Sequence, residues 1–359
     1  MLRDHGEAYT LPALQDHAID DRLRALTAWI AGRLGTDDFR LEPASADASF
    51  RRYFRVFFGH SIPARPSTAR TLIAMDAPPE RENSAAFVKV ARLLRDAGLN
   101  APEIHEQDLA QGFLLVTDLG SEPYLAALNE ESADRLFGDA TSALVRWQSA
   151  SRAGVLPEYD ETLLRRELEL FPDWYVARHA GVKLSAAQRR ALEAVFAAIL
   201  ARNLAEPRVY VHRDFMPRNL MVTDPNPGVL DFQDAVHGPL SYDVACLFRD
   251  AFVSWDEERV LDGTIRYWEK ARRAGLPVRA DFADFWRDVE WMGVQRHLKV
   301  LGIFARLHHR DGKRGYVEDT PRFIGYVRRA VARYDELAPL GRLLDSLEGK
   351  RAELRTTFS

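Results

Sequence analysis

The sequence predicts an α+β fold with two lobes, a small N-terminal lobe over residues 1–118 and a larger, mostly helical C-terminal lobe over 119–359. Short runs of β-branched and aromatic residues, separated by turns, predominate before residue 118, and helical apolar periods predominate after it. One hairpin-like stretch over 209–235 interrupts the helical half. A chain of 359 residues is long enough for two such lobes, each with its own core.

The N-terminal lobe is predicted to hold a five-stranded antiparallel sheet with one helix inserted after the third strand. A helix capped by Asp20 and ended by Gly35 precedes the sheet. The inserted helix is capped by Asn83 and followed by Gly98. The apolar runs place the strands at 39–41, 53–58, 71–75, 102–105 and 113–117.

In the C-terminal lobe, apolar residues recur mostly at the helical period. Ser185 and Gln188 form a capping box at the start of one helix, because each side chain can accept a hydrogen bond from the backbone N–H of the other residue. The remaining helices are predicted at 132–151, 241–254, 257–273, 281–308 and 320–347.

The stretch from Val209 to Ala235 carries the residues that we interpret as catalytic. Asn219 follows five positions after Asp214, and a turn over 224–228 returns the chain to Asp231. Such a hairpin brings two acids and one amide around a small volume, which suits phosphoryl transfer because that reaction needs an aimed acceptor oxygen and neutralised phosphate charge. We therefore predict Asp214 as the base or orienting group, and Asn219 and Asp231 as Mg²⁺ ligands. An Asx-rich surface hairpin with a capping Asp is the alternative.

The H-x-D-x-x-x-x-N…D-F pattern of this stretch resembles the catalytic core of the aminoglycoside phosphotransferase and choline kinase group. The resemblance implies a protein-kinase-like bilobal fold, with ATP and Mg²⁺ as cofactors. Gly238–Ala245 is similar to that group's continuation into a helix, where Asp243 would brace the catalytic loop; an ordinary helix-start Asp is the alternative. The resemblance also implies a hinge at which the backbone of Thr117, Asp118 and Leu119 pairs with adenine.

The loop between the first two strands contains no glycine, so it departs from the usual phosphate-binding loop of kinases. The predicted phosphate-binding residues are Ser49, Phe50, Arg51 and Arg52, with a solvated arginine pair as the alternative. The third strand also lacks the kinase lysine, and the helix after it lacks the partner glutamate. We interpret this double absence as a substituted phosphate clamp, for which Arg51, Arg52 and Arg55 are the candidates.

Five residues are predicted to contact the acceptor molecule. Trp174, Arg178 and His179 resemble a sugar-and-carboxylate site, in which an aromatic face covers the ring and the arginine binds an anion. Packing between helices is the alternative for the aromatic residue. Asp234 and Arg306 are expected to reach the same pocket.

Five stretches make the chain most similar to the anomeric amino-sugar kinases of bacterial cell-wall recycling. This resemblance implies phosphorylation of the 1-hydroxyl of N-acetylmuramate and N-acetylglucosamine. A kinase for an aminoglycoside, choline, ethanolamine or homoserine is the second hypothesis, and a catalytically silent nucleotide-binding scaffold is the third. The matching stretches are 49–56, 74–80, 113–120, 211–222 and 230–250.

Composition argues against several other classes of partner. A net charge of −4 and a pI near 6.2 leave no polybasic footprint for nucleic acid or a membrane surface. The single cysteine, Cys246, fits a reducing compartment, and the sequence has neither a signal-peptide core nor a membrane span. His308 and His309 have no third metal-type neighbour in sequence, so no zinc site is predicted. We expect a cytoplasmic protein and a monomer.

Overall fold

The chain folds into two compact units. The first comprises Met1–Val88 and Pro102–Asp118, and the second comprises Lys89–Ala101 and Leu119–Ser359. The computed structural model describes residues 16–46, 50–59, 71–313 and 315–357.

The segment 89–101 belongs to the second unit, whereas the sequence pattern assigns it to the N-terminal lobe. Asn100 explains this difference, because it bonds to the hairpin of the second unit. Its carbonyl accepts the N–H of Val229 at 2.8 Å, and its side-chain Nδ2 donates to the carbonyl of Pro225 at 2.8 Å. The first unit ends at Asp118, and the second continues from Leu119.

The first unit contains the predicted five-stranded antiparallel sheet, in the order β1-β2-β3-β5-β4. One helix follows the third strand, as the sequence predicts. The elements are α1 (Asp16–Leu34), β1 (Phe39–Ala46), β2 (Arg52–Phe58), β3 (Thr71–Asp76), α2 (Ser84–Asp96), β4 (Ile104–Asp108) and β5 (Phe113–Thr117).

The sheet of the first unit packs one face against α1, and strand alternation supplies that face. Two predicted boundaries differ from the structure. Helix α1 begins at Asp16, four residues before the predicted cap Asp20, because no proline or glycine interrupts the sequence between them. Strand β4 begins at Ile104, after the proline that fills the predicted start. The core consists of Leu26, Ile30, Phe54, Val56, Leu72, Ala74, Phe113 and Leu115.

The second unit is mostly helical and carries two short two-stranded sheets. The predicted capping box is present, with Ser185 Oγ accepting the N–H of Gln188 at 3.2 Å and Gln188 Oε1 accepting the N–H of Ser185 at 3.0 Å. No helix in the described part of the chain is long and apolar enough to span a membrane. The helices are α3 (Tyr124–Ala127), α4 (Ala133–Ser149), α5 (Glu161–Leu168), α6 (Ala186–Leu204), α7 (Tyr242–Phe248), α8 (Glu257–Arg273), α9 (Phe282–Asp311), α10 (Thr320–Val331) and α11 (Ala338–Thr357).

Two of the predicted helices are shorter or divided. The helix predicted at 241–254 ends at Phe248, because the side chain of Asp250 accepts the N–H groups of Ala251 and Phe252 at 2.6 and 3.3 Å and turns the chain. The helix predicted at 320–347 divides into α10 and α11. Pro339, in the first turn of α11, has no N–H to continue a helix from α10.

The segment Phe171–His179 is π-helical, with Ala180 N–H bonded to the Tyr175 carbonyl five residues earlier at 2.8 Å. Helix α9 packs against the residue before this segment. A Cβ built on Gly302 of α9 would lie 2.4 Å from the carbonyl carbon and oxygen of Leu170. Only a residue without a side chain permits this approach, which positions three of the predicted acceptor residues.

We predict that Gly302→Ala lowers the free energy of unfolding by about 1–3 kcal/mol, because the new methyl group forces the backbone of Leu170 away from α9. Gly325→Ala in α10 is the matched control, since a Cβ there meets no atom within 4 Å. That control is expected to raise stability by about 0.5–1 kcal/mol. Urea unfolding followed by circular dichroism measures both, and equal effects at the two positions would contradict the close packing.

Candidate active site

Two short antiparallel ladders present the predicted catalytic stretch. The outer ladder pairs β6 (Arg208–Val211) with β9 (Val236–Pro239), and the inner hairpin pairs β7 (Leu220–Met221) with β8 (Gly228–Val229). The loop that carries Asp214 leaves β6, and the loop that carries Asp231 leaves β8. The sequence predicts this hairpin, with apolar runs at 220–222 and 229–230. In the structure, β7 ends one residue earlier than the first run, and β8 is shifted one residue toward the N-terminus of the second.

Asn219 joins the two predicted acids. Its Nδ2 donates to the backbone carbonyl of Asp214 at 2.9 Å and to carboxylate Oδ2 of Asp231 at 3.2 Å. Its own carbonyl accepts the N–H of Leu230 at 2.9 Å, so backbone and side chain both tie the two loops together. The structure therefore places Asp214, Asn219 and Asp231 in one hydrogen-bonded group.

Asp231 is fixed in an uncommon backbone conformation, with φ of 60°. Gln233 donates from Nε2 to Oδ1 of Asp231 at 2.9 Å, while Asn219 binds the other carboxylate oxygen. Two amide donors thus set the direction of this carboxylate. A left-handed residue other than glycine costs free energy, so the surrounding contacts must hold it in place.

His212 connects the loop of Asp214 to the loop of Asp231. Its Nε2 lies 3.0 Å from the carbonyl of Leu230, which can only accept, so Nε2 carries the hydrogen. Nδ1 is then free of hydrogen and accepts the backbone N–H of Asp214 at 3.3 Å. Burial lowers the pKa of His212 to about 4, so the ring is neutral at physiological pH and keeps this tautomer.

Asp243 braces the same loop from the first turn of α7. Its two carboxylate oxygens accept the N–H of His212 at 2.7 Å and the N–H of Arg213 at 3.0 Å. These two hydrogen bonds favour the bracing role of Asp243 over the alternative of an ordinary Asp at a helix start. Burial raises the pKa of Asp243 to about 7, while the two N–H groups favour the ionised form. The thiol of Cys246 adds a bond to the Arg213 carbonyl at 3.3 Å.

The remaining oxygen atoms of this group suit a hard divalent cation. Asn219 directs both amide hydrogens to Asp214 and Asp231, so its carbonyl oxygen faces away from them. Asp231 adds two carboxylate oxygens, each of which has more than one lone-pair position. Mg²⁺ binds through a few such oxygens and keeps water and phosphate as further ligands. In the part of the chain that the structure describes, no group of three or more His, Cys, Asp or Glu side chains is placed to hold a metal ion.

In the first unit, acids of that same unit hold the candidate phosphate-binding arginines. Arg51 Nη2 lies 2.7 Å from Glu82 Oε2, and both side chains are buried. Glu82 also accepts the N–H of Phe50 at 3.0 Å, so it anchors the loop between β1 and β2. Arg52 binds Asp76, at the end of β3, through Nε at 3.0 Å and through Nη2. Ser49 lies outside the described residues.

The hinge residues predicted to bind adenine have contacts of their own. Asp118 receives a bidentate ion pair from Arg55, at 2.6 Å from Nε and 3.2 Å from Nη2. Thr117 Oγ1 accepts the N–H of Glu103 at 3.3 Å, and Leu119 begins the second unit. Arg55, a candidate for the substituted clamp, is thus paired with an acid that the sequence pattern assigns to nucleotide binding.

Asp76 is the last residue of β3, the strand in which the sequence lacks a lysine. It is fully buried and also receives Nε of Arg22 at 2.9 Å. The third strand therefore carries a buried acid between two arginines, the reverse of the kinase lysine and its glutamate partner. This inversion explains why neither half of the usual pair occurs in the sequence.

The candidate acceptor residues lie on the π-helical segment, on α9 and in the loop between β8 and β9. The π-helical segment carries a half-buried Trp174, an exposed Arg178 and a half-buried His179. Arg306 lies on α9, and Asp234 is exposed beside the hairpin, with its carbonyl 3.5 Å from Arg213 Nη1. These five residues thus do not form a bonded group of the kind that links Asp214, Asn219 and Asp231.

Two histidines from the stretch 299–314, which the sequence also directs to the acceptor pocket, lie near the π-helical segment. The ring of His179 lies 6.2 Å from that of His308 and 5.7 Å from that of His309. With Arg178 they form an arginine–histidine group, in which burial first, and then His308 and Arg178, lower the pKa of His309. His308 and His309 follow Lys299 on α9, and at ~1.5 Å per residue they lie ~14–15 Å from it along the helix. Contact with a residue distant in sequence brings them together, so no local pattern could have revealed it.

Two further groups escaped the sequence interpretation. Gln233 follows Asp231 by two positions, and this spacing alone could have suggested a partner for it. Glu167 binds Arg213, the residue before Asp214, across 46 positions of sequence. Nothing in the local sequence around Glu167 distinguishes it from Glu161, the other acid of α5.

Known proteins resemble this chain over most of its length. A family model described as phosphotransferase enzyme family matches residues 40–282. An N-acetylmuramate/N-acetylglucosamine kinase of Pseudomonas aeruginosa is 56% identical over 307 residues, which cover 86% of this chain and 88% of that protein. A kinase of the same name from Pseudomonas putida is 49% identical over 346 residues, covering 93% and 99%.

A solved structure supports the predicted protein-kinase-like fold. The choline kinase of Streptococcus pneumoniae superposes with a TM-score of 0.59 at 14% identity, covering 88% of this chain and 100% of that one. This likeness concerns the fold alone. Because the family model spans the sheet, the catalytic hairpin and α7, and because full-length relatives share about half of their residues with it, the chain belongs to the phosphotransferase enzyme family.

Proposed function

We propose that this kinase transfers the γ-phosphate of ATP to the anomeric 1-hydroxyl of N-acetylmuramate and N-acetylglucosamine. The observation that carries the proposal is the bonded group of Asp214, Asn219 and Asp231, since phosphoryl transfer requires an orienting acid beside oxygen ligands for a cation. The choice of sugars rests on the names of the relatives that are 49–56% identical.

Asp214 is proposed to accept the proton of the sugar hydroxyl, or to orient that hydroxyl, during transfer. His212 accepts the N–H of Asp214 and Asp243 accepts the N–H of the preceding Arg213, so the carboxylate is aimed before the substrate arrives. Asn219 and Asp231 would hold Mg²⁺, which in kinases neutralises phosphate charge. Family membership implies the use of ATP, and kinases of this kind work with a divalent cation.

The nucleotide is assigned to the loop of Ser49, Phe50, Arg51 and Arg52 and to the hinge at Thr117, Asp118 and Leu119, on the resemblance to kinases. Phosphate binding by one of these arginines requires the exchange of its carboxylate partner for phosphate oxygens. Arg52 is the better candidate for this exchange than Arg51, because its side chain is 26% exposed and that of Arg51 only 8%. Their planar guanidinium groups can bind phosphate through two parallel hydrogen bonds.

The arginine–histidine group of Arg178, His179, His308 and His309, in which Arg178 carries the positive charge, is proposed to bind the lactyl carboxylate of N-acetylmuramate. Arg306 adds a further positive charge on the same helix, while Trp174 would cover the sugar ring and Asp234 would bind its hydroxyls. Aminoglycosides and choline are cations and would be repelled by such a group. The cationic surroundings therefore favour an anionic or neutral acceptor.

The protein is further proposed to act as a cytoplasmic monomer without a nucleic-acid partner. Its acidic net charge of −4 supports this proposal, because nucleic-acid surfaces attract basic proteins.

Acceptor specificity is tested by ADP release from MgATP over a panel of acceptors, followed by ³¹P NMR of the product. We expect turnover with N-acetylmuramate and N-acetylglucosamine and an acid-labile phosphate on the anomeric oxygen. Kanamycin, choline and homoserine are expected to give none. Turnover only with a cationic acceptor would overturn the sugar assignment while keeping the kinase. ATP binding without any turnover would favour the silent scaffold.

Asp214→Asn is expected to lower kcat by roughly 10²- to 10⁴-fold with little change in MgATP affinity, because this side chain acts on the acceptor hydroxyl. Asp224→Asn is the matched control, since Asp224 is an exposed acid in the turn of the same hairpin. Steady-state kinetics and calorimetric titration of nucleotide measure the two quantities. Wild-type turnover in the Asp214 variant would exclude it as the base.

Arg178→Ala is expected to raise KM for N-acetylmuramate by roughly 10-fold and to leave KM for N-acetylglucosamine nearly unchanged, since only the first sugar carries a carboxylate. Lys183→Ala, which removes an exposed cation four residues after His179, serves as the control. An unchanged preference for N-acetylmuramate in the Arg178 variant would count against the carboxylate assignment.

A further inference from the structure

A buried glutamate of α5, Glu167, contacts the loop that carries Asp214. Glu167 is only 5% exposed, and its Oε1 forms an ion pair with Nη2 of Arg213, the residue before Asp214. The same Oε1 lies 3.1 Å from Nζ of Lys299 on α9. One carboxylate oxygen is therefore shared between two cations that come from different elements of the second unit.

The other oxygen of Glu167 is also occupied. Oε2 accepts a hydrogen bond from the hydroxyl of Tyr159, and it accepts Nε2 of Gln295 at 3.1 Å. Lys299 in turn donates to the hydroxyl of Tyr242 at 3.0 Å. These contacts fill the carboxylate and fix its position, so Glu167 cannot follow Arg213 if the loop moves.

The backbone at Arg213 needs such support. Its φ of 77° lies in the left-handed region, which costs a bulky residue free energy and persists only where contacts over-determine it. Asp243 and Cys246 bind the backbone N–H and carbonyl of Arg213, but they leave its side chain unconstrained. Glu167 holds that side chain, and the next residue along the chain is Asp214.

We propose that Glu167 is a positioning residue for phosphoryl transfer, holding Arg213 so that the neighbouring Asp214 faces the acceptor hydroxyl. This inference rests on the proposed role of Asp214 as the acid that acts on the acceptor. Glu167 touches neither substrate nor cofactor in this assignment and acts only through Arg213. Its loss therefore changes the aim of Asp214 and not the binding of ATP.

The charges of the group make the inference testable. Arg213, Lys299 and Glu167 together carry one net positive charge, and Glu167→Gln leaves two buried cations without their shared partner. Burial by itself would raise the pKa of Glu167, but Lys299 and Arg213 outweigh it and lower that pKa to about 2. The carboxylate is thus ionised at every pH used for assays. Removing the charge of Lys299 as well restores one net positive charge, now on Arg213.

The experiment compares Glu167→Gln, Lys299→Gln and the double variant with the wild type. Glu167→Gln is expected to lower kcat by roughly 10- to 100-fold, as a misaimed catalytic group does, with KM for MgATP within about 3-fold of wild type. Lys299→Gln keeps the bond between Glu167 and Arg213 and is expected to retain most activity. The double variant restores the net charge of the group but not the ion pair with Arg213, so its kcat is expected to stay near that of Glu167→Gln, and Glu167→Asp is expected to be intermediate.

Glu290→Gln is the matched control for the removal of a buried acid. Glu290 is 2% exposed on α9, pairs with Arg249 and Arg333, and accepts the hydroxyl of Tyr334 at 2.6 Å. Its partners do not belong to the catalytic loop, so this variant is expected to lower the melting temperature while kcat per folded molecule stays unchanged.

Three outcomes would overturn the inference: an unchanged kcat in Glu167→Gln, an equal loss in Glu290→Gln, or a near-wild-type kcat in the double variant, which would assign the loss to unbalanced charge. If Glu167→Gln does not fold, Glu167→Asp decides, and a wild-type kcat in that variant contradicts the inference. The wild-type protein provides the separate test of function. If it phosphorylates an acceptor other than the two sugars, the series is run with that acceptor, and the role of Glu167 stands or falls independently.

Discussion

The fixed shape of the loop between His212 and Asp214 is the constraint on which the site depends. Asp243 accepts two successive backbone N–H groups of this loop, which no helix or strand could satisfy at that point. The neutral ring of His212 then ties the N–H of Asp214 to the segment that leads to Asp231. A buried acid and a neutral imidazole thus replace regular secondary structure where the chain must present a side chain.

Two strained residues show how the structure maintains this arrangement. Arg213 and Asp231 have φ angles of 77° and 60°, and each is held by side chains from several elements. Such strain persists only where the surroundings over-determine it, and it concentrates at functional sites. The two amides of Asn219 and Gln233 hold one loop, while Asp243 holds the other. The surrounding fold therefore stabilises a site that would not keep this shape alone.

Charge is distributed differently in the two units. In the first unit, carboxylates of the sheet and of the segment after β3 hold Arg51, Arg52 and Arg55, and the kinase lysine is absent. In the second unit, three histidines lie together near Arg178, whose positive charge suits an anionic acceptor. An arginine that exchanges a carboxylate for phosphate pays little in desolvation when it is partly exposed, as Arg52 is.

The sequence by itself predicted most of the helices and strands and the group of Asp214, Asn219 and Asp231, which we propose to be catalytic. Strand alternation, caps and the capping box depend on near neighbours, so the order of the five strands and most helices could be predicted. The spacing of Asp214, Asn219 and Asp231 spans one hairpin, which a local pattern also encodes. The end of α7 at Phe248 depends on the side chain of Asp250. The break between α10 and α11 depends on Pro339, which has no N–H to continue the first helix.

Only the tertiary structure decided which side chains support that group. The contacts of Glu167 with Arg213, of Asp76 with Arg22, and of His179 with His308 join residues 46, 54 and 129 positions apart. Such pairs leave no periodic pattern, because each depends on how distant helices and strands pack. The same limit applies to the choice between a bracing and a capping Asp243, which became a matter of two measured hydrogen bonds. Local spacing in the sequence encodes the residues that we propose to be catalytic, whereas long-range packing determines which side chains support them.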